Sequence, residues 1–112
     1  MNVKAQAFLW IVQRASAAVL GICVVVHLAT MIYAIRGGLS AAEILSRTQG
    51  HAGWLAFYSV FVLALTVHAP IGLRSVLVEW FGWRGAGRDL FLLALAMLLN
   101  VLGMRAVFGV FL

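Results

Sequence analysis

The chain has 112 residues, 65% of them hydrophobic and only 10% charged, with a formal net charge of +5. Ordinary globular domains are roughly half apolar and about a quarter charged, so this composition excludes a soluble catalytic domain. The basic residues are scattered rather than clustered, which excludes nucleic acid as a partner and points to lipid headgroups instead.

Three apolar stretches predict an all-α membrane protein, each stretch close to the roughly 20 residues that cross a bilayer. The predicted helices cover about 10–35, 53–80 and 89–112, within a single transmembrane domain over 1–112. The first carries His27 as its one strongly polar interior side chain, with Ser16 and Thr30 able to bond back to the backbone. Ala15-Ser16-Ala17 resembles a signal-peptide cleavage site, but the apolar run before it covers only residues 8–12 and is broken by Gln13-Arg14, so no cleaved leader is expected. Cys23 is the only cysteine and can form neither an internal disulfide nor a thiolate cluster.

Gly37-Gly38 ends the first helix, and residues 39–49 are polar enough for a short interfacial helix. Gly50 and Gly53 precede the second helix, which contains His68, Pro70 and Arg74. Loop 81–88 follows, with Asp89 as the expected N-cap of the third helix, where Asn100 and Arg105 are embedded. Trp10, Trp54, Trp80 and Trp83 fall at predicted helix ends, the depth that indole rings favour. With the N-terminus inside, Lys4, Arg14, Arg74, Arg84 and Arg88 lie on the cytoplasmic side, and Arg36 and Arg47 lie outside in loop 36–52. The positive-inside rule favours that orientation.

An ionisable side chain in a membrane costs about 2.5 kcal/mol or more and therefore usually has a partner. On a helical wheel Ser16, Cys23, His27, Thr30 and Ala34 share one face, and Phe57, Phe61, Ala64, His68, Gly72, Ser75 and Glu79 share another. Ala64 and Gly72, one turn either side of His68, are small and leave space beside the imidazole. Such space suits a flat macrocycle with an axial histidine, and it equally suits close helix packing, with the histidine bonded across the interface. Pro70 removes the donor to the Thr66 carbonyl; it either aims His68 through a kink or is simply tolerated in a membrane helix. Arg14 and Arg74 sit at matching helix ends, where they either meet haem propionates or a quinone carbonyl or snorkel to anionic lipid. Arg105, roughly 24 Å along its helix from Asp89, snorkels outward. Asn100 is expected to bond across a helix interface, and His51 has no assigned role.

Two segments resemble a known family. Gln13-Arg14-Ala15-Ser16-Ala17, with His27 further along the same helix, resembles the His-Arg-x-Ser/Thr-Gly motif of succinate dehydrogenase cytochrome b subunits. His68-Ala69-Pro70-Ile71-Gly72-Leu73-Arg74, with Glu79 beyond, resembles that family's His-x-x-x-Gly-x-Arg stretch. The resemblance spans nearly the whole chain. The departures are Gln13 for the motif histidine, Ala17 for the glycine, Trp10 where some members have a serine, and Ser75 where a histidine often follows.

The resemblance implies a membrane anchor, multi-pass in the cell inner membrane, for a flavoprotein subunit and an iron–sulfur subunit. Such an anchor carries electrons between the iron–sulfur subunit and quinone, and is not an enzyme on its own. His68 is then an axial ligand of haem b, Arg14 and Ser16 lie at the propionates or the quinone, and Arg74 is a propionate or structural partner. Counted from the predicted helix ends, His27 and His68 differ in depth by roughly 10 Å, too far for one iron. Each is expected to face a second three-helix chain, either a similar subunit or another copy, in a six-helix bundle holding one or two haems. The alternatives are a haem-free structural anchor and a small dimeric transporter; no Asp or Glu lies in the interior of a span, Glu79 sitting at a helix end, which speaks against the latter.

Overall fold

The computed structural model describes residues 2–112. It is helical: α1 (Val3–Arg36), α2 (Ala41–Thr48), α3 (Ala52–Phe81) and α4 (Ala86–Phe111). α1, α3 and α4 are long and apolar enough to cross a membrane, and at 1.5 Å per residue they reach ~51, ~45 and ~39 Å against a hydrocarbon layer of ~30 Å. The three expected spans and the short helix expected within residues 39–49 are all present.

α1 starts well before residue 10, because nothing in its first two turns breaks a helix and Asn2 caps it, its side chain accepting from the Ala5 N–H at 2.8 Å. α2 opens on a capping box, in which the Glu43 N–H donates to Ser40 Oγ and the Ser40 N–H donates to the Glu43 carboxylate. Its Arg47 donates to Tyr33 Oη at 3.3 Å and lies over the same ring, tying α2 back to α1. The exit from α2 caps the far end of the chain: Thr48 Oγ1 and the Gly50 N–H donate to the Val110 and Phe111 carbonyls, both at 2.8 Å. Carbonyls of the last turn of α4, which have no partner within the helix, are thereby satisfied.

Two sequence expectations at helix starts are corrected. His51, given no role above, is the N-cap of α3, with Nδ1 accepting from the Trp54 N–H at 3.3 Å. α4 is capped by Gly85 rather than Asp89, since the chain enters the helix at φ 104°, a conformation suited to glycine. Asp89 lies inside the first turn and accepts from Arg88 Nε and Nη2 at 3.0 and 2.7 Å. Arg88 itself is buried rather than part of an open loop.

The helices form a row rather than a closed bundle. α3 is the middle member, packed against α1 on one side and α4 on the other, while α2 lies against the end of α4. Accordingly, among the described residues only Cys23, Leu92 and Val107 are buried large or sulfur-bearing apolar side chains, and large hydrophobics along all three spans face outward. A row this thin has no core of its own, and lipid or another protein chain must cover its faces.

α1 and α3 run antiparallel in one register. Gln13 lies opposite Gly72, Ser16 opposite His68, and His27 opposite Tyr58. The residue numbers of these pairs add to 84 or 85, so a single uninterrupted helix pairing places all three contacts.

Candidate functional site

Both membrane histidines sit on the α1–α3 seam, and each has its Nδ1 against a hydroxyl from the opposite helix. His68 Nδ1 on α3 lies 3.3 Å from Ser16 Oγ on α1. His27 Nδ1 on α1 lies 3.2 Å from Tyr58 Oη on α3. Eleven residues separate Ser16 from His27 and ten separate Tyr58 from His68, so the two imidazoles stand roughly 15 Å apart along the bundle.

That spacing exceeds the 10 Å expected from the helix ends. The outer ends of the two helices are not level. In the structure α1 runs nine residues past His27 to Arg36, whereas α3 begins six residues before Tyr58. The extra turn of α1 accounts for the difference.

The chemistry of the Ser16–His68 pair is set by the serine's other bond. Ser16 is buried, and its hydroxyl donates to the Gln13 carbonyl at 3.0 Å. A hydroxyl has one proton. With that proton on the Gln13 carbonyl, the serine oxygen can accept from His68 Nδ1. Beside this pair an apolar groove of about 370 Å³ opens between the helices, walled by Val12, Ala15, Ser16, Val60 and Ala64. The expectation of space on both sides of His68 is half met. Ala64 borders the groove, but Gly72 faces the Gln13 amide, where an added Cβ would come within 3.1 Å of Nε2. Gln13 Oε1 is buried there without a hydrogen-bond partner among the described residues.

The His27 level is aromatic. The imidazole meets Tyr58 and Phe61 edge-to-face, each at 5.7 Å between ring centres. Trp54 and Phe57 continue the cluster toward α2. Cavities of about 380 and 350 Å³ lie on either side of the His27–Tyr58 pair, one under α2 toward α1 and the other between α3 and α4.

The arginines are not gathered with the histidines. Arg14 is exposed and stacks over the Trp10 ring at 5.0 Å. Arg74 is half-buried and borders a polar cavity of about 620 Å³ at the α1 N-terminal end, together with Gln6, Glu79, Arg84 and Arg88. Asn100, expected to bond across an interface, is half-buried on α4 and has no side-chain hydrogen bond among the described residues, because the row leaves α4 without a third helix beside it. Tyr58 was missed from sequence since it lies off the stripe of Phe57, Phe61, Ala64 and His68. Only the register of α3 on α1 brings it to His27.

Among the described residues no group of three or more His, Cys, Asp or Glu side chains is assembled as a metal-binding cluster. Neither a curated protein nor a solved structure matches the chain. Residues 1–104 match the family model for the succinate dehydrogenase/fumarate reductase transmembrane subunit, and the chain belongs to that family.

Proposed function

We propose that this chain is the haem b-binding membrane anchor of a succinate dehydrogenase- or fumarate reductase-type complex, serving electron transfer between an iron–sulfur subunit and membrane quinone. It is not an enzyme alone; the dicarboxylate chemistry belongs to a flavoprotein partner. The observation that carries the proposal is the Ser16–His68 pair. His68 Nδ1 lies 3.3 Å from the Ser16 hydroxyl, and Ser16 lines an apolar groove between the helices.

The residues present fit a haem. His68 would hold the iron, and His27 would hold a second one where two are bound. The groove lined by Ser16 and Ala64 would supply an apolar wall for a macrocycle, and a second three-helix chain would supply the other wall. Bound haem b supplies one-electron carriage within the membrane. Arg74, at the polar cavity, holds propionates or a quinone carbonyl through charge-assisted hydrogen bonds. Arg14 meets headgroup-level ligands from its stack on Trp10.

The thin row of spans supports pairing with a second chain, a similar subunit or another copy, into a six-helix bundle. The excess of basic residues at the α1 N-terminal end supports a cytoplasmic N-terminus in the cell inner membrane. The test is the reduced-minus-oxidised spectrum of the purified complex. A b-type α-band that disappears in His68→Ala is expected. A complex that reduces quinone with no haem would leave a purely structural anchor.

A further inference from the structure

We propose that Ser16 is a positioning residue that fixes the tautomer of His68; the inference rests on the haem function proposed above. Ser16 is only 7% exposed, so its hydroxyl is served by protein rather than by solvent. Its proton goes to the Gln13 carbonyl at 3.0 Å. The remaining contact, 3.3 Å to His68 Nδ1, is therefore one in which the ring donates and the serine accepts. A neutral imidazole carries a single N–H. Held at Nδ1, that proton leaves Nε2 with its lone pair free, the state an iron ligand needs. Both hydrogen-bonding directions of the hydroxyl are thus used inside the seam, which assigns Ser16 to the histidine rather than to a propionate or quinone.

His27 provides the contrast. Among the described residues Tyr58 Oη has no hydrogen-bond partner other than His27 Nδ1. The phenol proton is not committed elsewhere, so Tyr58 can donate to Nδ1 and leave the His27 proton on Nε2. The two levels have the same geometry but differ in tautomer control. Only the His68 level is locked.

An acceptor on the distal nitrogen of a ligating imidazole raises the basicity of the ligand and favours the ferric state. The experiment is a redox titration of the purified complex, with low-spin electron paramagnetic resonance, for wild type, Ser16→Ala, Ser16→Cys and Ser16→Thr. In Ser16→Ala the haem assigned to His68 becomes easier to reduce, with a ferric-to-ferrous equilibrium changed about tenfold, equivalent to ~59 mV for one electron. Its low-spin signal shifts as well. Ser16→Cys, close in size but a weaker acceptor, moves in the same direction by less, and Ser16→Thr restores the wild-type values. Loss of haem from Ser16→Ala with retention in Ser16→Thr is the stronger form of the same result. A haem whose potential and signal are the same in wild type, Ala and Cys overturns the role of Ser16 and leaves the haem function standing. A wild-type complex with no haem overturns both.

Discussion

Gly103 on α4 meets Val62 on α3 so closely that a Cβ built on the glycine would stand 2.6 Å from Val62 Cγ1 and 3.0 Å from Cγ2. Val62 is β-branched and stiff at χ1, so it cannot swing away. Gly103→Ala is expected to cost about 1–3 kcal/mol through overpacking, read as a lowered thermal midpoint of the detergent-solubilised complex. Gly72→Ala is the control. The added methyl meets only the end of the Gln13 side chain, and the midpoint should move by much less.

Gln13 offers a test with the opposite sign. Its amide oxygen is buried and lacks a partner among the described residues, a cost of about 1–3 kcal/mol for a desolvated acceptor. Replacing it with Leu removes that cost while keeping an apolar side chain against Gly72. Gln13→Leu should therefore hold or raise the thermal midpoint. A marked drop would mean that the amide meets a group supplied by a partner or cofactor.

His27→Ala addresses the second haem. If His27 holds an iron, haem per complex falls by half and the remaining signal keeps its spectrum, because the Ser16–His68 pair lies roughly 15 Å away along the bundle. Unchanged haem content in His27→Ala assigns the imidazole to the aromatic cluster alone. Tyr58→Phe should then leave haem content at the wild-type value as well.

The two arginines should separate kinetically. Arg74 borders the polar cavity, whereas Arg14 stacks outward on Trp10. Arg74→Ala is expected to lower quinone reductase activity by an order of magnitude or more, by loss of a charge-assisted hydrogen bond worth about 1.5–3 kcal/mol. Arg14→Ala should cost several-fold at most, in line with an exposed cation–π contact of about 0.5–1 kcal/mol. Equal losses would mean that Arg14 leaves Trp10 in the assembled complex.

The spans were legible because length and apolar composition alone decide what crosses a bilayer, and α2 was legible because residues 39–49 break the apolar pattern. His27 and His68 stood out as polar side chains within those spans. Their partners did not. Ser16 and Tyr58 become partners only once α1 and α3 adopt a particular register, and that register depends on how far each helix extends past the α2 turn, which no local pattern encodes. The N-cap of α4 was hidden for a related reason. Asp89 has the right chemistry for a cap, but Gly85, four residues earlier, has the backbone freedom that the turn from α3 demands. Asn100 was expected to bond within the fold, and the open row of helices leaves it without a partner there.

The most direct measurement is a cryo-electron microscopy map of the assembled complex at a resolution that shows side chains around His68. The expected result is a macrocycle in the groove beside Ala64, with His68 Nε2 within bonding distance of its iron and Nδ1 still against Ser16. Aliphatic side chains or lipid filling that groove, with His68 Nε2 hydrogen-bonded to protein, would contradict it.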